Sequence, residues 1–531
     1  MTASDWFLTP TQRRNPSTRL DTRRGDGLAH ASGNLAVPLV HGATYFAVLH
    51  AAVQQMRSGD LLLFTDWRGD PDQRLTEDPD SEVGTVLAAA SRRGVDVRGL
   101  VWRSHLDKLA FSGAENRHLG ELIEAAGGEC LLDMRVRTGG SHHQKFIVLR
   151  HPGRPELDIA FVGGIDLCHS RRDDAEHGGD PQSQPMAQVY GPRPAWHDAM
   201  VQLRGPVVGD VETVFRERWE DPQPLSRNPL HRVADLLRRT DTYANALPAQ
   251  LPDPAPAGPH DVQLLRTYPV RVGGYPFAPR GERSVAHGYT KALQRARRLI
   301  YVEDQYLWSR EVADTFVQAL RAQPGLHLVA VLPHQPDQDG AVSQPPNLVG
   351  RDHALSAIVK AGGGRVAFYG VENHAGTPVY VHAKICVVDD VWATIGSDNF
   401  NRRSWTHDSE LSAAIIDTNR DPRLPTDPGG LGDGARTYAR DLRLQLAREH
   451  LDAADDISLV DPDEAFATFA ASARALQTWH DGGHFGSRPP GRLRPLAPAP
   501  LGPAQRLWAT CAYHRVYDPD GRPRHLRGGA F

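Results

Sequence analysis

The sequence predicts an α/β protein built from two copies of one unit, and three observations carry that prediction. First, His143-Gln144-Lys145 and His382-Ala383-Lys384 are His-x-Lys triplets 239 residues apart, each at the front of an apolar run, Phe146-Ile147-Val148-Leu149 and Ile385-Cys386-Val387-Val388. Second, each run leads to a glycine turn with polar side chains, Gly163-Gly164-Ile165-Asp166 in one half and Gly396-Ser397-Asp398-Asn399 in the other. Third, an apolar strand enters a polar turn upstream of each triplet, at Asp66-Trp67, 77 residues before His143, and at Asp304-Gln305-Tyr306, 78 residues before His382.

Between turn and triplet each half shows a helix and then a strand. The first half has a helical pattern over 86–93 and an apolar run over 95–102; the second has them over 312–322 and 326–332. Apolar strands alternating with amphipathic helices argue an α/β architecture. Self-similarity on this scale means duplication of a whole lobe, not a solenoid. The two triplets are expected to meet where the lobes meet, since such interfaces commonly hold ligand sites. Further helices are predicted over 211–219 and 435–451, the latter with Tyr438, Leu442 and Leu446 on one buried stripe. His41-Gly42 and His287-Gly288 precede the opening helix of each half and read as a repeat echo without a site of their own.

The chain is long enough, at 531 residues, for two cores. Its formal net charge of −4, from 60 basic and 64 acidic residues without a basic tail, weakens a nucleic-acid reading. The cysteines, Cys130, Cys168, Cys386 and Cys511, have no zinc or disulfide spacing and read as buried thiols. No secretory signal opens the chain, and no apolar stretch approaches the ~20 residues of a membrane span. The expectation is a cytoplasmic chain that meets a membrane at most peripherally. Composition divides it into a first lobe (1–246), a proline-rich linker (247–259), a second lobe (260–487) and a proline-rich extended arm (488–531). Residues 172–194, rich in Asp, Gly, Gln and Pro, form a long segment that reads as a lid or as a passive insertion.

Residues i and i+2 of a strand share a face, so His143 can project with Lys145, and His382 with Lys384. Two imidazoles and two ammonium groups without a carboxylate cluster of metal-ligand spacing suit a phosphodiester. Lysines offset the charge of the transition state, one neutral imidazole attacks phosphorus, and the other, protonated, gives its proton to the leaving alkoxide. Asn399 can donate to a phosphate oxygen, whereas ionised Asp166 is suited to orienting a neighbouring His or Lys. A zinc reading of His142, His143 and His382 lacks further ligands.

These residues resemble the phospholipase D superfamily, whose signature is His-x-Lys-x4-Asp, twice. The second copy carries His382, Lys384 and Asp389, then Gly396, Ser397, Asn399 and the acidic Glu410. The first carries His143, Lys145, Gly164 and Asp166, but Arg150 stands at the aspartate position, with Asp158 as the alternative carrier of that role. The run 160–168, Asp173, Trp196-His197-Asp198, Arg218-Trp219 and Tyr301–Tyr306 look like phospholipase D proper, and the resemblance covers roughly residues 35 to 455.

The resemblance implies two α/β/α lobes with mixed sheets and pseudo-twofold symmetry. It also implies ping-pong chemistry, with His143 as nucleophile forming a phosphohistidine and His382 as acid and then base. Lys145, Lys384 and Asn399 would hold phosphoryl oxygens, Asp389 would complete the catalytic set as a supporting group, and Asp166 and Glu410 would bond the far nitrogens of the histidines. Ser397 and Gly164 would support the site, with no cofactor or metal required. The expected function is hydrolysis of glycerophospholipids at a membrane surface to phosphatidic acid and an alcohol, with transphosphatidylation where an alcohol outcompetes water. Tyr190 and Tyr306–Trp308 are candidates for a membrane-facing rim. A nuclease on the same scaffold is the alternative; a membrane-embedded phosphatidyltransferase and a binding protein with a decayed site fit less well. The duplicated chain can complete its site as a monomer.

Overall fold

The computed structural model describes residues 3–104, 113–238, 240–337, 344–496, 501–529 and 531. The first lobe is a mixed sheet of seven strands: β1 (Ala31–Val40), β2 (Leu61–Asp66), β3 (Asp96–Trp102), β4 (Glu129–Asp133), β5 (Phe146–Arg150), β6 (Ile159–Gly163) and, after the short β7 (Ala195–His197), β8 (Ala199–Arg204). Hydrogen bonding sets the order β4-β3-β2-β5-β6-β8-β1, parallel among β2, β3 and β4 and antiparallel elsewhere.

The second lobe repeats this layout. Its strands are β9 (His260–Tyr268), β10 (Glu282–Arg283), β11 (Leu299–Glu303), β12 (His327–Val331), β13 (Val366–Glu372), β14 (Pro378–Val381), β15 (Ile385–Val388), β16 (Trp392–Gly396), β17 (Glu410–Asp417) and β18 (Leu493–Pro495). The main sheet runs β13-β12-β11-β15-β16-β17-β9, with the same parallel trio at one end. Strand for strand this is the order of the first sheet, as duplication requires. The two sheets meet edge to edge at β1 and β9, where an irregular register brings the Asn34 amide onto His260 O at 3.1 Å.

Side-chain alternation along the central strands sorts the apolar residues into three layers. Leu61 and Leu63 face a core shared by both sheets, while Leu62 and Phe64 face the outer helices Gly42–Gln54, Val83–Arg92 and Gly113–Ala125. In the second lobe Leu299 and Tyr301 join the shared core, and Ile300 and Val302 face the outer helices Ser284–Arg295, Arg310–Ala322 and Gln344–Gly362. Helix Val207–Trp219, buried along its whole length, and helix Thr437–Leu451, through Tyr438, Leu442 and Leu446, fill the middle layer. Near-continuous apolar strands are what a sheet covered on both faces demands.

Several expectations need correction. The first residues, assigned to the first lobe, pack on the second: Trp6, Phe7 and Leu8 share a core with Leu265, Val285 and Tyr289, and Gln263 bonds both backbone groups of Leu8. The C-terminal arm is not merely extended. It adds β18 to β13 and seats helix Pro503–Ala512, with Ala509 and Tyr513 against Trp308 and Val349. The segment 172–194 is a strap bonded to the second lobe, Ala187 N donating to Asp337 O at 2.7 Å, and its Tyr190 is buried against Tyr380. Tyr190, Leu307 and Trp308 are therefore core residues, not a rim. Cys511 is exposed while the other three cysteines are buried. Among the described residues no helix is long and apolar enough to cross a membrane.

Candidate active site

Two short parallel pairings across the lobe boundary build the site. The backbone just before the first triplet pairs with the start of β17: His142 bridges Ser409, and His143 N donates to Ser409 O at 3.0 Å. The backbone just before the second triplet pairs with β7: Val381 aligns with His197, and His382 N donates to His197 O at 2.8 Å. In each pairing the next residue on the partner strand is a carboxylate facing the histidine. His143 Nδ1 is 2.9 Å from Glu410 Oε2, and His382 Nδ1 is 2.6 Å from Asp198 Oδ2. Each catalytic candidate thus takes its carboxylate from the opposite lobe. An Nδ1–H held by a carboxylate leaves Nε2 as the reactive nitrogen.

Glu410 stands where the sequence put it, on a histidine; Asp166 does not. Asp166 lies 3.5 Å from Lys145 Nζ and accepts the Trp67 and Arg68 N–H groups, while Asp198 takes the histidine. Ser397 Oγ donates to Glu410 Oε2 at 2.6 Å and so fixes the carboxylate that fixes His143. Gly164 makes room for Asp198: a Cβ there would sit 2.2 Å from Asp198 Oδ1. Gly164→Ala is accordingly expected to lower turnover by about 10²-fold through displacement of the Asp198–His382 pair, with the melting temperature reporting whether the fold persists.

Lys145 Nζ bonds His143 O at 2.9 Å, and Lys384 Nζ bonds His382 O and reaches Gln305 Oε1 at 3.5 Å. Asn399 is buried, and its Oδ1 has no hydrogen-bond partner among the described residues. Asp389 is a correction. It lies just past the far end of β15, about 16 Å of strand from Lys384. There its carboxylate accepts the backbone N–H groups of Arg297, Arg298 and Leu299 at 2.7–2.9 Å. Its part is to close the β11–β15 end, not to touch substrate. In the first lobe Arg150 is buried between Asp158, at 3.1 Å, and Glu212, at 3.0 Å. Asp158 therefore neutralises Arg150 and does not stand in for the motif aspartate.

Burial and charge set the protonation states. Burial, followed by the Lys384 ammonium, pushes His382 down to about 3 against the pull of Asp198. Burial lowers Lys384 to about 8. Burial opposes ionisation of Asp198, yet His382 and Lys384 hold it down at about 2. Asp66 and Asp166 sit together beneath Lys145. Burial and then Asp166 push Asp66 well above the usual carboxylate range, while Lys145 and Arg171 overcome burial to keep Asp166 well below it. Asp66 and Asp304 are repeat equivalents, accepting the N–H of Leu167 and of Phe400 and so tying each strand end to its glycine turn.

Sequence reasoning missed four other contributors. Asp198, Gln305, Trp67 and Trp196 stand in the sequence reading only as members of longer runs. Trp67 packs edge-on to His143 with ring centroids 6.3 Å apart, and Trp196 lies 4.9 Å from His382 with Arg171 stacked over it at 3.8 Å. The aromatic next to each polar turn or acid was the available signal.

Two sheets of identical strand order, sharing one core and presenting paired His-x-Lys triplets at their junction, define a duplicated α/β protein with one composite site. The family model for phospholipase D matches residues 60–330, and that for "Cardiolipin synthase, PLD-like domain" matches residues 289–421. The chain belongs to the phospholipase D family. It is 25% identical to phospholipase D beta 2 of Arabidopsis thaliana over 83% of this chain and 59% of that one. It is 24% identical to phospholipase D alpha 2 of Oryza sativa subsp. japonica (70% and 58%), and 26% identical to phospholipase D1 of Schizosaccharomyces pombe (60% and 28%). The chain spans less than two thirds of the length of these relatives. Among solved structures, phosphatidylserine synthase of Haemophilus influenzae Rd KW20 aligns with a TM-score of 0.49 at 12% identity, over 73% of this chain and 84% of that one.

Proposed function

We propose that the chain is a phosphodiesterase of phospholipase D type that converts glycerophospholipids to phosphatidic acid and the head-group alcohol through a phosphohistidine. The observation that carries this reading is the pair of histidines, each held at Nδ1 by a carboxylate of the opposite lobe and each flanked by a lysine. His143 Nε2 attacks phosphorus, and Glu410 stabilises the charge its ring acquires. Neutral in the free protein, His382 gains its proton as the anionic phosphodiester binds beside it; its Nε2 then delivers that proton to the departing alkoxide and takes one from water, or from another alcohol, as it attacks the phosphohistidine. Lys145, Lys384 and Asn399 hold the non-bridging oxygens, whose charge grows in the transition state.

A lipid substrate, in preference to nucleic acid, is favoured by helix Pro229–Arg238. It turns its polar side inward, Asp235 forming a two-pronged ion pair with Arg103 at 2.6 and 2.7 Å, and leaves Leu230, Val233, Leu236 and Leu237 at 55–79% exposure. Arg103 follows Trp102, which stacks on Trp67 beside His143, so the inner side of this helix is anchored close to the site and its apolar face looks outward. Exposed leucines next to a phosphodiester site suit the surface of a bilayer. Leu236→Asp/Leu237→Asp is expected to lower activity on vesicles at least tenfold while leaving a soluble short-chain phosphodiester turned over at the wild-type rate. Equal losses on both substrates would remove this support.

The reading is tested by incubating the protein with mixed phospholipid vesicles and ethanol and analysing products by mass spectrometry, with His143→Ala and His382→Ala as controls. Phosphatidylethanol from wild type alone supports it; cleavage of DNA but not lipid would transfer the proposal to the nuclease alternative. The pH profile adds a check. Lys384 is charged below about 8 and loses its charge above it. The contribution of the ammonium is therefore level below that pH and is lost as pH rises through it. Because free His382 is already neutral there, kcat/KM declines across the neutral range and should steepen near 8, with the Lys384 break in kcat displaced upward because a bound anion raises the lysine's affinity for its proton.

A further inference from the structure

Directly behind His382 lies a cluster of buried imidazoles and carboxylates that the catalytic proposal leaves unused. His41 precedes helix Gly42–Gln54, His177 lies in the strap, His197 ends β7, and Glu449 is near the end of helix Thr437–Leu451. His41 Nε2 is 2.8 Å from Glu449 Oε2, His177 Nε2 is 3.1 Å from Glu449 Oε1, and His197 Nδ1 is 3.5 Å from the same oxygen. One nitrogen of each histidine and a Glu449 oxygen all lie within 4.8 Å of one another. The histidines are no more than 4% exposed. His41 is thus no mere repeat echo; its counterpart His287 sits beside Arg14 and Arg283 instead.

Three features go beyond a set of neighbouring side chains. The four groups come from four separate segments, three in the first lobe and one in the second. Among the described residues His197 Nδ1 is buried with nothing nearer than Glu449 at 3.5 Å to complete a hydrogen bond, and it belongs to the group of converging atoms. The far nitrogens of two histidines face carboxylates. His197 Nε2 is 2.7 Å from Glu303 Oε2, and Glu303 is itself held by Tyr301 Oη at 2.6 Å and His450 Nε2 at 2.8 Å; His177 Nδ1 is 3.6 Å from Asp173 Oδ2. Carboxylate–histidine pairs of this kind orient imidazoles toward a metal and raise their basicity. Donors around a four-coordinate zinc-type ion, with bonds of about 2.0–2.1 Å, sit roughly 3.3 Å apart, and the histidine–Glu449 separations of 2.8–3.5 Å bracket that spacing.

We infer that His41, His177, His197 and Glu449 bind one divalent transition-metal ion of zinc type, which clasps the two lobes beside the active site. Four protein ligands close the coordination shell, so the ion is structural and takes no part in phosphoryl transfer. Its effect on the site is positional. His197 O anchors the backbone of His382, and the residue after His197 is Asp198, which holds the His382 ring.

The test uses the untagged full-length protein. After purification without chelator, elemental analysis should find one equivalent of a transition metal per chain. Stripped protein reloaded with Co2+ should show the intense visible bands of four-coordinate cobalt, and stripping should lower the melting temperature. Asp173→Asn keeps an oxygen for the Asp174, Gly179 and Trp196 N–H groups that Asp173 accepts but removes the charge facing His177, and should weaken Zn2+ binding 10–100-fold with the fold retained. The wild-type cobalt spectrum decides the matter if that variant fails to fold. Stripped wild type that takes up neither Zn2+ nor Co2+ at micromolar concentration, with an unchanged melting temperature, would overturn the inference and leave the cluster a proton-sharing network around Glu449.

Discussion

Glu410→Gln is expected to lower turnover of a phosphodiester by about 10³–10⁴-fold with little change in stability, and Asp198→Asn to do the same from the other lobe. Both carboxylates sit on Nδ1 of a histidine, at 2.9 Å and 2.6 Å. An amide can fill the space but not stabilise an imidazolium, and it can present its NH2 to Nδ1 and so favour the wrong tautomer. Ser397 discriminates further, because its Oγ holds Glu410 and not the histidine. Ser397→Ala should lose roughly tenfold, since it relaxes the carboxylate without removing it. Steady-state rates beside thermal melts separate these effects from misfolding. A loss under tenfold for Glu410→Gln would mean that the cross-lobe pairing is structural.

The largest stability effect is expected at Asp390. Its carboxylate lies between Arg443, at 2.6 Å, and Arg440, at 2.9 Å, and all three side chains are at most 1% exposed. The backbone there has φ of 56°, a region aspartate and asparagine tolerate better than most residues. Asp390→Ala leaves two buried guanidinium groups short of a counter-charge, with only Asp421 remaining on Arg440. Removing one partner of a buried pair in this way costs about 3–5 kcal/mol. Denaturant unfolding should show that loss, and Asp390→Asn a smaller one. A change below about 1 kcal/mol would show that the arginines find other acceptors.

Much of the architecture was legible because duplication writes it twice. The runs at 61–66 and 299–303 occupy equivalent strands, the triplets at His143 and His382 lead into another equivalent pair, and helices read over 312–322 and 435–451 fall on Arg310–Ala322 and Thr437–Leu451. What could not be read depends on contacts between halves. Asp198 lies 55 residues after His143 and Glu410 lies 28 after His382, so no common spacing marks either as a histidine partner. Their pairing follows from the parallel bridges at His142–Ser409 and Val381–His197, which the linear sequence does not encode locally. Asp389 misled for the opposite reason. Its place in the motif is regular, but strand geometry carries it away from Lys384 to the backbone of Arg297–Leu299. The rim was misplaced because aromatic character alone does not distinguish Trp308, buried under the C-terminal helix, from a surface residue. The exposed leucines of Pro229–Arg238 stand out only once Asp235 is seen to face inward.

In the proposed composite site His143 carries the phosphoryl group and His382 moves protons. Single turnovers of phosphatidyl-p-nitrophenol, quenched in denaturant at neutral to mildly alkaline pH where a phosphohistidine survives and read by intact-protein mass, put this to the test. Nitrophenolate leaves without a proton, so His382→Ala should release a stoichiometric burst and accumulate a phosphatidyl adduct mapping to His143. His143→Ala should give neither burst nor adduct. An adduct on His143→Ala, or a wild-type burst with no adduct under any quench, would contradict the account.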